Sequence, residues 1–141
     1  MVHALEQIHF LLKPDGILID IHPTPEPPPI DVRLDADIHR VGWVREVDDY
    51  CEYVAADEAL ATAVSRNLYT WQKQGTFAFT TYADTILDLR QHLAQTWTDA
   101  IIDDDIIRRT LDLMQTPSLN QEIILREVIQ IARLKPVFSE Q

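Results

Sequence analysis

Asp20 and His22 are the polar pair in this chain best placed to do chemistry. They end the apolar run Ile17-Leu18-Ile19-Asp20-Ile21-His22, and residues two apart in a strand point to the same side. Ligands of open α/β sheets bind at the carboxyl ends of strands. A carboxylate beside an imidazole there could steer a proton or help hold a metal. Bonding to nearby backbone groups is the plainer role. Trp43 is the third ligand-binding candidate, as an aromatic wall of a pocket; core or interface packing is its plainer role.

The other reactive residue types lack a chemical setting. His3 and His9 are six apart and share no helical face, and His39 and His92 read as surface residues. Cys51 falls on an expected buried stripe with no His or basic group within a helical turn, so it reads as a core cysteine rather than a nucleophile. Ser65, Ser118 and Ser139 lack a G-x-S-x-G context. Asp103-Asp104-Asp105 looks like a cation site, yet three acids at a helix start serve the cap and the helix dipole. Catalytic residues and metal ligands are therefore left unassigned.

These residues must be positioned by 141 residues carrying 12 Lys+Arg against 23 Asp+Glu, a net charge of −11. That balance repels phosphate backbones and anionic membranes, so neither nucleic acid nor membrane is an expected partner. With one cysteine there is neither an internal disulfide nor a cysteine-based zinc cluster. No apolar run approaches the ~20 residues that cross a bilayer, and the start lacks the pattern of a signal peptide. A cytoplasmic, single-domain protein over residues 1–141 is the expectation.

Along the chain, Ala4, Leu5, Ile8, Leu11 and Leu12 mark a first helix, closed by Pro14 and Gly16. The run Ile17–Ile21 reads as a strand buried on both faces, hence central and parallel. Residues 22–29 hold five of the eight prolines and form a stiff connector, with a proline-motif docking site as the functional alternative. Ile30, Val32 and Leu34, then Val41 and Trp43, suggest a hairpin. A helix from Asp48-Asp49 to about Asn67 buries Val47, Tyr50, Cys51, Val54, Ala61, Val64 and Leu68. Residues 69–82 form a long strand rich in aromatic and β-branched residues. Asp84 caps the next helix, with Ile86, Leu89, Leu93 and Trp97 inward, and a further helix starts at Asp103. Residues 122–134 carry apolar residues on both strand parities and on a helical stripe; five Ile or Val residues favour a strand.

The stretch from Leu5 to Pro23, centred on LLKPDGILIDIHP, resembles a segment of class I S-adenosylmethionine-dependent methyltransferases. In that family a helix ends at a Leu-Lys-Pro-Gly-Gly-like turn and leads into the fifth strand of the central sheet. Lys13, Pro14 and Gly16 match the turn, and Asp15 replaces its first glycine. FAFTTYADTILDLRQHL is similar to the region around the sixth strand, and residues 122–134 to the seventh. The resemblance covers the C-terminal half of the family's domain. It omits the glycine-rich loop that clasps the cofactor: Gly16, Gly42 and Gly75 stand far apart, and no G-x-G exists.

The expected fold is therefore α+β, derived from α/β, with a mixed sheet of about four to six strands and three or four helices. The resemblance implies that Ile17–Ile21 lacks one strand neighbour and offers an open edge. A second copy of the chain is the favoured cover. A separate chain supplying the N-terminal half, or rearranged strands of this chain, are the alternatives. The favoured function is a non-catalytic, methyltransferase-like protein that dimerises or binds a small ligand, with no cofactor of its own. The alternative is the C-terminal half of a split methyltransferase, binding S-adenosylmethionine only when a partner chain completes it. A third reading wraps the long strands around a pocket beside His22 and Trp43.

Overall fold

The computed structural model describes residues 1–138, so Ser139 lies outside the described residues. The fold is α+β. In chain order the elements are α1 (Val2–Leu11), β1 (Leu18–Pro23), β2 (Pro29–Leu34), β3 (Asp37–Trp43), β4 (Arg45–Glu46), α2 (Cys51–Ser65), β5 (Tyr69–Ala83), α3 (Ile86–Thr96), β6 (Ala100–Ile101), α4 (Asp104–Met114) and β7 (Gln121–Pro136). They cluster into two compact units. Unit 1 comprises residues 1–25, 51–77 and 128 onward; unit 2 comprises residues 26–50 and 78–127. The long strands β5 and β7 contribute to both. Among the described residues no helix is long and apolar enough to cross a membrane.

In unit 1, β1 runs antiparallel to β7, with Leu18 opposite Leu134 and Pro23 opposite Ile129. Leu5 of α1, Ala59, Leu60 and Ala63 of α2, Tyr69, Ala132 and Leu134 form its core. Tyr69 Oη donates to the Leu5 carbonyl at 2.9 Å, so a buried phenol finds an acceptor and fixes α1. His9 is buried as well, its Nε2 2.8 Å from the Val137 carbonyl.

β1 is neither central nor parallel. It pairs with β7 alone among the described strands, and its alternate residues Ile17, Ile19 and Ile21 are exposed. The continuous apolar run thus marks a strand with one face covered by helices and the other bare. The α2 stripe differs from the expected one too. The buried residues are Ala56, Ala59, Leu60 and Ala63, whereas Val47, Cys51 and Val54 are exposed, so Cys51 is not a core residue. Small alanines let α2 approach the sheet closely, which the larger side chains of the expected stripe would prevent.

In unit 2, β2 pairs antiparallel with β3 and with the first part of β7. The β2–β3 turn places Asp35 at φ 55°, left-handed backbone that Asp tolerates. The Asp35 carboxylate accepts the backbone N–H groups of Leu119 and Asn120, both at 3.0 Å. Ile30, Val32, Val41, Val44, Ile86, Leu89, Ile106, Ile123 and Leu125 form the core. Gly42 lies where any Cβ would meet Ile106 at 2.6 Å. The α3 cap is Thr85 rather than Asp84: its Oγ1 accepts the Asp88 N–H at 3.1 Å.

The proline segment is a connector between two antiparallel pairings on β7. Thr24 N–H still donates to Val128 at 2.9 Å. Ile21 faces Ile131 and Ile30 faces Leu125, nine residues forward on one strand against six back on the other. Three residues are therefore surplus to the ladder.

Candidate functional site

β1 and the helix over it bring three ionisable side chains together in unit 1. Asp20 and His22 project to one side of β1, as their spacing requires. His22 Nδ1 lies 2.6 Å from Asp20 Oδ2, and its Nε2 lies 2.9 Å from Oδ1 of Asp57 on α2. Gln130, directly opposite His22 on β7, donates from Nε2 to the same Asp57 oxygen at 3.1 Å. The His22 side chain is 10% exposed, so the ring is nearly enclosed by these partners.

Hydrogen-bond stoichiometry limits what this cluster does. An ionised carboxylate only accepts, and a neutral imidazole has one N–H. Both contacts are hydrogen bonds when the ring is doubly protonated, or when one carboxyl keeps a proton. The cluster ties β1 to α2. Neither ring nitrogen is left with a lone pair facing open space, which a nucleophile or metal ligand needs. Among the described residues no group of three or more His, Cys, Asp or Glu is arranged to hold a metal ion.

Asp57 was not legible as a partner. It lies three residues after Val54 and four before Ala61, on the expected stripe itself, where a lone acid names no partner; α2 is instead turned so that Ala56, Ala59 and Ala63 are buried and Asp57 flanks them. The third candidate, Trp43, belongs to unit 2, opposite Pro29 in the β2–β3 ladder. Its ring is half exposed and lies under the Arg40 guanidinium, with Cζ 5.6 Å from the ring centroid. Arg40 in turn is paired with buried Asp31, its cross-strand neighbour. Trp43 is thus one end of a structural acid–arginine–aromatic stack.

A second polar cluster in unit 2 is also structural. Trp97 Nε1 donates to Glu46 Oε1 at 2.5 Å, and Tyr50 Oη donates to the Val44 carbonyl at 2.5 Å. Burial, with the neighbouring acids Glu46 and Asp49, holds the Tyr50 phenol well above its ordinary range. The acidic run at α4 is committed as well: Asp103 forms a two-pronged ion pair with Arg45, at 2.6 and 2.9 Å. Asp105 pairs with Arg109 one turn on, at 2.5 Å.

The chain matches no family model, no curated protein and no solved structure.

Proposed function

We propose that this chain is a non-catalytic, methyltransferase-like interaction protein that forms a homodimer through the open edge of β1. One observation carries this reading: among the described strands β1 pairs with β7 alone. Its outward backbone N–H and C=O groups are then available to a further strand. The pairing of β1 with β7 also supports the resemblance, which makes them the family's fifth and seventh strands. Antiparallel addition of a second β1 centred on Asp20 would place Ile19 of one copy opposite Ile21 of the other, two exposed apolar residues. A cytoplasmic location belongs to the same proposal and fits a chain with a single cysteine.

Size-exclusion chromatography with light scattering tests the dimer. A dimer is expected at micromolar concentration. Ile19→Lys combined with Ile21→Lys sets like charges opposite each other and should weaken it at least tenfold. A monomeric wild type, or a dimer indifferent to both lysines, overturns the reading.

The partner-completed methyltransferase is the second reading. The open edge of β1 favours it too, since a strand of a partner chain could complete the sheet there. Isothermal titration of the isolated chain with S-adenosylmethionine should give no heat under either reading. Micromolar binding by the isolated chain would overturn both.

A further inference from the structure

The bare face of the unit 1 sheet differs in charge from the rest of the chain. On β1 it presents Ile17, Ile19 and Ile21, all exposed. On β7 the row on the same side is Ile129, Ile131, Arg133 and Lys135, with Arg133 directly opposite Ile19. A hollow of about 290 Å³ lies over Ile19 and Ile131 and is bordered by Lys73, Gly75 and Arg133. No acid occurs in either row; Asp20 and His22 point to the other face, under α2. Among the described residues Lys73, Arg133 and Lys135 have no carboxylate partner, although Asp and Glu outnumber Lys and Arg by 23 to 12 in the chain.

Apolar isoleucines ringed by unanswered cations are complementary to one kind of surface. We infer that this face docks an acidic, amphipathic segment of another protein, its apolar side over Ile19, Ile21 and Ile131 and its carboxylates against Lys73, Arg133 and Lys135. A symmetric face-to-face contact between two copies is opposed, because it would set the three cations against themselves. An anionic membrane would also meet an apolar, basic face, but as an extended surface it would face more of this acidic chain, whereas a short segment covers this face alone. The docking uses the face of the sheet and goes beyond the edge pairing proposed above.

Fluorescence anisotropy on the full chain at 0.15 M salt tests this. The probes are two labelled 18-residue helical peptides with the same leucine stripe, one carrying glutamates and the other lysines. The Leu/Glu peptide should bind and the Leu/Lys peptide should not. Lys73→Glu, Arg133→Glu and Lys135→Glu together should weaken binding at least tenfold, and Arg133→Gln with Lys135→Gln by a smaller factor. All three side chains are exposed, so circular dichroism should be unchanged. Failure to bind the Leu/Glu peptide overturns the inference, as does equal binding of both peptides or indifference to charge reversal. Charge-sensitive binding to phosphatidylserine vesicles without peptide binding overturns it in favour of a lipid surface. None of these outcomes bears on the light-scattering result for the β1 edge.

Discussion

The two parts of β7 receive different cover. Where β7 serves unit 2, Ile123, Ile124 and Leu125 are consecutive and all buried, so both faces of the strand are shielded. Where it serves unit 1, Ala132 and Leu134 are buried but Arg133 between them is exposed, so one face is shielded. One strand thus shows both patterns a sheet permits. A run of β-branched residues identifies a strand without telling how many of its faces are covered. Unit 2 shields both faces of its stretch of this strand, while unit 1 leaves one face bare and, among the described strands, pairs β1 with β7 alone.

The sharpest way to break this contrast is to put the same charge into both stretches. Ile124→Asp should cost roughly 3–5 kcal/mol, because it buries a carboxylate without a partner. Arg133→Asp should stay within about 0.5 kcal/mol. Urea midpoints decide, and equal losses would mean the two stretches are covered alike.

The polar groups should follow the same order. Asp31 is buried under Arg40, so Asp31→Asn should cost about 3 kcal/mol. Asp57, with a side chain 38% exposed, is partly hydrated, and Asp57→Asn should cost about 1 kcal/mol by the same denaturation. A larger loss at Asp57 would mean that the His22 cluster holds unit 1 together.

The glycines offer a third comparison. Gly42→Ala drives a methyl against Ile106 and should cost about 1–3 kcal/mol, relieved in part by Ile106→Val, which removes the Cδ1 atom. Gly75 has open space around it, so Gly75→Ala should be neutral or stabilise by about 0.5 kcal/mol through the unfolded chain. Thermal melts of both would show whether close packing is confined to unit 2.

The smallest effect concerns Glu127 in unit 2. Burial raises its carboxyl above the ordinary range, and nearby His92 opposes this. The folded state therefore holds a proton that the unfolded chain has already released. Its contribution is complete below the ordinary carboxyl range and is lost as pH rises through the folded value. Glu127→Gln should flatten the decline of melting temperature with pH over that window; an unchanged slope would mean that Glu127 is hydrated.

Much of this fold is legible in the residues. Tyr69, Trp71, Phe77 and Phe79 mark β5, and the Ile and Val residues of 123–131 mark β7, because such side chains fit a pleated strand. Ile86, Leu89 and Leu93 locate the inner face of α3. Other features depend on neighbours distant in sequence. The exposed Trp71, Phe77 and Phe79 look like core residues by type, and only the missing cover shows otherwise. Alanines 56, 59 and 63 are too weakly apolar to outweigh Val54 and Val64 in a pattern, yet they set the approach of α2. The pairing of Asp20 with His22 follows from strand spacing, whereas Asp57 reaches His22 across 35 residues of chain. Nothing local announces that meeting.

The proline connector has a practical side. Thr24 and Pro28 keep their backbone bonds, to Val128 and Val44, so Pro25, Glu26 and Pro27 carry the slack. Chain length at this point is decoupled from strand register. A short epitope tag or a dye-bearing cysteine inserted after Glu26 should leave both flanking ladders in place, providing a handle on the protein that disturbs neither.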